Sequence, residues 1–276
     1  MNPIAHNKVI DRIESAREML HCCRLCPRQC GVDRMSGEKG YCGLDGSARC
    51  FREMLYCGEE EPLNPSHQIY FTGCNLRCAF CTVAEWNEEP QAADILDIDY
   101  LKERISYRKS QGARTLNLLG GEPTLSLPGI IELLSHLDSS TQVILNSNMY
   151  YEIHVYKLLD GLIDIYLADL KCGNSSCAES LLDAPDYVEI VKENIVKASC
   201  HADLIVRHLV LPGHRDCCLE PILQWLAETL PAVKVSLRGD YTPPAQETSA
   251  PNAYLEQTDL HDALDMARQM GLNVIQ

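Results

Sequence analysis

Thr72-Gly73-Cys74-Asn75-Leu76-Arg77-Cys78-Ala79-Phe80-Cys81 puts three thiols within eight residues, directly behind a short apolar run at 68–72. That run has the length and the aromatic and β-branched content of a buried strand, so the thiols fall where a strand ends. Further strands are predicted at 115–119, 142–146, 163–168, 204–211 and 233–237. Helical patterns are predicted between and after them at 99–111, 128–137, 153–159, 186–198, 219–229 and 260–270. Strands alternating with helices are the signature of βα units on a parallel sheet. Six such units fall short of a closed eight-fold barrel. The expected fold is α/β, a partial (β/α)6 barrel whose ligands gather at the C-terminal ends of the strands.

Upstream the pattern changes. Residues 5–20 read as an amphipathic helix, with Ile10, Ile13, Ala16 and Leu20 at helical spacing. Residues 21–60 are rich in Cys, Gly and Arg and lack periodicity. A division into an N-terminal helix with a Cys-rich metal-binding segment (1–66) and a barrel (67–276) is therefore expected. Cys23, Cys26, Cys30 and Cys42 are four thiolates able to close a tetrahedral site around Zn²⁺ or to hold an auxiliary Fe–S cluster. A segment this short with little apolar periodicity needs such a staple.

The chain has 276 residues and a formal charge of −15, from 39 acidic against 24 basic side chains. Polyanion binding needs a basic surface, so neither a nucleic acid nor an anionic membrane is expected as a partner. No apolar run approaches the ~18 residues of a membrane span, and the first 20 residues lack the apolar core of a signal peptide. A cytoplasmic location is the expectation. Fifteen cysteines in a chain of this length point to metal ligation rather than to a disulfide framework. At that content the three-thiol spacing arises by composition in about one chain in twenty, so its position behind a strand matters as much as the spacing. Three close thiols leave one metal position open, as a catalytic cluster requires; half of a zinc site is the alternative.

Other strand ends carry polar residues too. Gly120-Gly121-Glu122-Pro123 closes the second predicted strand, Asn146-Ser147-Asn148 the third and Asp169-Leu170-Lys171 the fourth. Gly-Gly and Pro also make an ordinary turn. Arg207 and His208 lie inside an apolar strand, where a charged pair must meet a partner or a cavity. Cys172, Cys177, Cys217 and Cys218 occupy the loops after the fourth and fifth strands; they are read either as free thiols or as ligands of another cluster.

The Cys-x3-Cys-x2-Cys run with Phe80 before its last thiol resembles the signature of the radical S-adenosylmethionine (SAM) superfamily. Cys26-Pro27-Arg28, Cys30 to Arg34, Gly120 to Pro123, Ile165 to Lys171 and Val206 to Gly213 resemble its pyruvate formate-lyase activating enzyme-like branch. The resemblance implies a [4Fe–4S] cluster on Cys74, Cys78 and Cys81, whose open iron chelates SAM and cleaves it reductively to a 5′-deoxyadenosyl radical. It implies SAM contacts from Phe80, Gly120, Gly121, Glu122, Asn146, Ser147, Asn148, Asp169 and Lys171, and catalytic roles for Lys171, Arg207 and His208. A flavodoxin or ferredoxin-type reductant is implied, with a glycyl-radical enzyme as the target. A small molecule or peptide substrate is the alternative, and a non-catalytic zinc module is the reading from another class. Thr82-Val83 stands where the family often has Gln-Asn, and the thiols at 172, 177, 217 and 218 also depart from its pattern.

Overall fold

The computed structural model describes residues 6–275. The first helix, α1 (His6–Glu18), forms as expected, but its buried face is rotated: Val9, Ala16 and Leu20 are buried and Ile10 is exposed. The rotation follows from what α1 packs on, which is α4 (Leu127–Ser135). The Cys-rich segment then leads into a strand that periodicity does not reveal, β1 (Arg49–Tyr56), whose residues are mostly half-buried on both faces.

The described residues form two compact units. The first runs up to Asn75 and resumes from Val83 to Tyr166. It holds α1, β1, β2 (Ser66–Phe71), α2 (Ala84–Glu88), β3 (Asp94–Ile95), α3 (Ile98–Ser110), β4 (Thr115–Gly120), α4, β5 (Gln142–Ser147) and α5 (Val155–Leu159). Its strand order is β3-β1-β2-β4-β5. β1 is antiparallel to both neighbours, whereas β2, β4 and β5 are parallel and in register, Phe71 opposite Gly120 and Leu118 opposite Leu145. The parallel strands are buried along nearly their whole length, as expected where helices cover both faces.

The second unit comprises Leu76–Thr82 and the chain from Leu167 onward. It opens with the last residues of β6 (Ile165–Asp169) and continues through α6 (Ser175–Leu182), α7 (Tyr187–Ser199), β7 (Asp203–Leu209), α8 (Glu220–Thr229), β8 (Lys234–Arg238), α9 (Gln257–Gln269) and β9 (Asn273–Ile275). Strand order here is β6-β7-β8-β9, with β7, β8 and β9 parallel. The six predicted strands and the helices of the βα units are all present. β1, β3 and β9 are additional, and so are α2 and α6. The fold is α/β with a mostly parallel sheet behind a Cys-rich N-terminal region. No described helix is long and apolar enough to cross a membrane.

Away from the strand ends, one ion cluster ties β1 to α3. The Glu53 carboxylate accepts from Arg104 Nε at 2.7 Å and from Arg108 Nε and Nη2 at 3.0 Å, and pairs with His67 Nε2 at 2.9 Å. Burial works against its charge, but the two guanidiniums win and bring its pKa down to about 2 from an ordinary 4.5. A depressed carboxylate stabilises fully above its unfolded pKa and loses that contribution as pH falls toward the folded value. The melting temperature of the wild type should therefore drop more steeply between pH 4.5 and 2 than that of Glu53→Gln. Parallel slopes in a pH series of thermal melts would count against this cluster as a source of acid sensitivity.

Candidate active site

Where β2 ends, Gly73 takes φ +74 and turns the chain into Cys74. A Cβ at Gly73 would lie 2.6 Å from Leu44 Cγ and 2.9 Å from the Cys42 carbonyl oxygen, so the Cys-rich segment packs directly on this turn. Arg28 adds to the contact by donating from Nε to the Asn75 carbonyl at 3.0 Å while its guanidinium lies 3.7 Å over the Tyr41 ring. Next to it, β4 ends in Gly120 at φ +124, where a Cβ would sit 2.2 Å from Phe71 O; at Gly121 it would sit 2.1 Å from Gly73 O. Only glycine permits this approach. The Gly121 and Glu122 amides donate to Phe71 O and Gly73 O, both at 2.8 Å, which stitches the end of β4 to the Cys74 turn.

Glu122 is fully buried. Its Oε1 accepts from Thr124 N at 3.1 Å, Thr124 Oγ1 at 2.8 Å and Ser147 Oγ at 2.9 Å, and its Oε2 accepts from Asn148 N at 2.9 Å. Burial raises its pKa and these donors oppose the rise. Such a carboxylate is a clamp between the ends of β4 and β5. Asn148, held by that clamp, donates from Nδ2 to Asn75 Oδ1 at 2.9 Å and toward Cys74 Sγ at 3.7 Å. Ser147 Oγ also accepts from Met149 N at 3.0 Å, and Met149 takes a left-handed φ of 58. Of the residues expected in this unit, Cys74, Gly120, Gly121, Glu122, Ser147 and Asn148 form one connected network. Asn146 is half-buried beside it on β5.

In the second unit the thiol loop is held by α6. Arg77 N donates to Leu182 O and Ala79 N to Leu181 O, both at 2.8 Å, and Cys81 N closes a turn onto Cys78 O at 3.0 Å. The Phe80 ring meets Tyr241 edge-on at 6.2 Å between centroids. Burial pushes the Cys78 thiol up to about 12, with the Lys171 ammonium pulling the other way. Lys171 Nζ in turn pairs with Asp169 Oδ2 at 2.5 Å. The buried Tyr187, which carries no sequence signal of its own, accepts from Lys171 N at 3.1 Å and donates to Asp169 O at 3.2 Å.

Arg207 and His208 face opposite sides of β7, as neighbours on a strand do, and each meets its own partner. His208 is buried and donates from Nδ1 to Leu170 O at 2.7 Å; burial lowers its pKa, which leaves Nε2 as the acceptor nitrogen of a neutral ring. Arg207 lies toward Asp240, where it and, more strongly, Arg238 offset the effect of burial and keep that carboxyl below its ordinary value.

Residues 69–226, more than half of the chain, match the family model of the radical SAM superfamily. The chain belongs to the radical SAM superfamily. Its cofactors are accordingly a [4Fe–4S] cluster and SAM. The uncharacterized protein MJ0674 of Methanocaldococcus jannaschii is 34% identical over 275 residues, covering 96% of this chain and 79% of that protein. The 7-carboxy-7-deazaguanine synthase of Clostridium acetobutylicum is 40% identical over 131 residues, or 47% of this chain and 57% of the synthase. Among solved structures, Streptococcus suis SuiB aligns with a TM-score of 0.55 at 14% identity over 75% of this chain and 46% of SuiB. SuiB has also been solved bound to SAM. That likeness is one of fold, and the chain spans less than half the length of SuiB and little more than half of the synthase.

The residues present suit this enzyme's cofactors. Three thiols in one short loop are donors for iron, the Asn148 amide N–H is aimed at one of them, and backbone glycines bring the β4 end against the same turn. Glu122→Gln should lose about 2 kcal/mol of stability, because its carbonyl can serve the three donors on Oε1 but its NH2 would then face the Asn148 N–H that Oε2 now accepts. Chemical denaturation of the metal-free protein checks this; an unchanged midpoint would show that the clamp contributes nothing.

Proposed function

We propose that Cys74, Cys78 and Cys81 hold the [4Fe–4S] cluster and that the enzyme cleaves SAM reductively. What supports this most is the Cys74-x3-Cys78-x2-Cys81 run placed directly behind β2, within the matched family region. Bound there, the cluster supplies the electron that splits the sulfonium of SAM into methionine and a hydrogen-abstracting 5′-deoxyadenosyl radical. The chain's own residues position that chemistry. Glu122 fixes the β4 and β5 ends, where Gly120 and Gly121 would hold the SAM ammonium and Asn146, Ser147 and Asn148 would offer SAM polar contacts. Lys171, held by Asp169, would balance the SAM carboxylate, and Phe80 would lie near the adenine. Neutral His208 offers Nε2 as a proton acceptor, and Arg207 an anion contact. A flavodoxin or ferredoxin-type protein delivers the electron.

The target we propose is a glycyl-radical enzyme, on the strength of the activating enzyme-like runs from Cys26 to Gly213. A small-molecule target is the second reading, favoured by the 40% identity to a 7-carboxy-7-deazaguanine synthase over 47% of the chain.

The Cys-rich segment is proposed as a further metal site. Cys23, Cys26, Cys30 and Cys42 repel one another's charged forms, and burial raises Cys26 to about 12 and raises Cys42 as well. Backbone amides of Arg28, Tyr41 and Leu44 donate to Cys26, Cys30 and Cys42. Buried thiolates need such donors and a cation, whether Zn²⁺ or an Fe–S cluster.

Three measurements test these readings. After anaerobic reconstitution, the triple variant Cys74→Ala, Cys78→Ala, Cys81→Ala should lose one cluster's iron and sulfide. With dithionite and SAM it should form 5′-deoxyadenosine only at background level; wild-type yield from the variant would overturn the cluster assignment. Replacing Cys23, Cys26, Cys30 and Cys42 by Ala should remove a separate metal complement and leave the triple-variant iron in place. Metal contents equal to wild type would refute the second site. An EPR doublet on a glycyl-radical enzyme after mixing with the reduced, SAM-loaded protein would establish the protein target. Deuterium transfer from a labelled small molecule to 5′-deoxyadenosine, without that doublet, would decide for the second reading.

A further inference from the structure

The loops after β6 and β7 bring together a group that the radical chemistry does not use. Cys177 on the first turn of α6, and His214, Cys217 and Cys218 after β7, place their ligand atoms within 4.8 Å of one another. Cys177 Sγ lies 3.7 Å from Cys217 Sγ and 3.7 Å from His214 Nδ1, and Cys217 Sγ is 3.3 Å from His214 Nδ1. With Zn–S at about 2.3 Å and Zn–N at about 2.0–2.1 Å, a tetrahedral Cys3His ion has S···S edges of about 3.8 Å and S···N edges of about 3.6 Å. The Cys177–Cys217 and Cys177–His214 separations lie within about 0.1 Å of those edges, the Cys217–His214 one is about 0.3 Å shorter, and Cys218 Sγ lies within 4.8 Å of all three. A cubane spreads its ligands over separate iron corners and needs them wider apart. We propose that Cys177, His214, Cys217 and Cys218 bind a single thiophilic divalent cation, Zn²⁺ by chemistry, in a closed structural site.

The backbone is shaped for this purpose. Residues Arg215–Leu219 form a π-turn in which Cys218 N and Leu219 N both donate to His214 O, at 3.0 and 3.2 Å. Such turns are rare and concentrate at functional positions. This one draws His214, Cys217 and Cys218 to one side. Gly173 leaves no room for a side chain, since a Cβ would lie 2.6 Å from Cys218 O and 2.8 Å from Cys218 Cα. Around the ligands stand the donors that thiolates need. Asn174 caps α6 by accepting from Cys177 N at 2.8 Å, while its Nδ2 donates to Cys177 Sγ at 3.2 Å and Cys217 O at 2.6 Å. The Gly173 amide and the fully buried Cys172 thiol both hydrogen-bond to Cys218. The site anchors the start of α6, the same helix whose Leu181 and Leu182 carbonyls hold Arg77 and Ala79 in the cluster loop.

The site is tested on the full chain, expressed with zinc and purified anaerobically without iron reconstitution. Zinc per chain by mass spectrometry should fall by one equivalent in Cys177→Ala/Cys217→Ala and stay at the wild-type level in the Cys74, Cys78, Cys81 triple variant. Should the double variant not fold, His214→Ala and Cys217→Ser in Co²⁺-loaded protein replace it. Each should shift the tetrahedral d–d bands, and only Cys217→Ser should cut the thiolate charge-transfer intensity, by about a third of this site's share. Wild-type zinc in the double variant, cobalt spectra unmoved by either single change, loss of iron in place of zinc, or a Cys177–Cys217 disulfide in the wild type would each overturn the proposal.

Discussion

A buried carboxylate governs the β4–β5 edge. Removing Glu122 from water would cost far more than folding can spare unless donors replace the lost hydration. The chain supplies four, from Thr124, Ser147 and Asn148. Each donor that satisfies the carboxylate is itself fixed by doing so. The Gly120-Gly121 backbone cannot drift from the Cys74 turn, and Asn148 cannot swing its amide away from Cys74 Sγ. The polar residues at these strand ends are thus an electrostatic framework before they are a binding surface. The first task of Glu122 is to hold the ends of β4 and β5 to one another.

In the second unit the equivalent rigidity comes from α6. The helix is short, eight residues from Ser175 to Leu182, and isolated helices of that length are marginal in water. Both ends are used. Asn174 caps its N-terminus, and the carbonyls of Leu181 and Leu182, which the helix leaves unpaired at its C-terminus, accept from the amides of the Cys78 loop. The carbonyls the helix cannot satisfy internally are the ones that hold the Cys78 loop. That exchange gives a short helix a reason to sit behind a three-thiol loop, and gives the thiol–imidazole group at its start a structural consequence.

Some of this was legible in the sequence and some was not, for physical reasons. The predicted strands read clearly because each carries a short apolar run, Ile69–Phe71 in β2, Leu118–Leu119 in β4 and Val143–Leu145 in β5, and the strand-end chemistry followed from where they stop. β1 was missed because Arg49–Tyr56 alternates neither in hydropathy nor in burial, and β9 because three residues carry no period. Ile10 looked like core because helical spacing alone cannot say which face α4 will cover. The sequence marks Arg207 and His208 as residues that need a partner or a cavity, but it does not name the partners, because neighbours on a strand point to opposite faces. His214 was overlooked while Cys217 and Cys218 were noted. Its spacing of three and four residues from them is one helical face, and that was the signal available.

Fifteen thiols in a chain of this size are an anomaly, and on the proposals above eleven fall into three groups of metal ligands or their immediate support. They are Cys74, Cys78 and Cys81; Cys23, Cys26, Cys30 and Cys42; and Cys172, Cys177, Cys217 and Cys218. Cys22, Cys50, Cys57 and Cys200 remain, and none of the four is buried. Had the chain merely used cysteine as a small hydrophobe, the leftover thiols would be the buried ones. Instead the buried thiols, Cys23, Cys26, Cys42, Cys74, Cys172 and Cys218, all belong to groups. Burial of a thiol next to other thiols raises the cost of each negative charge, and a bound cation is the simplest way to offset it.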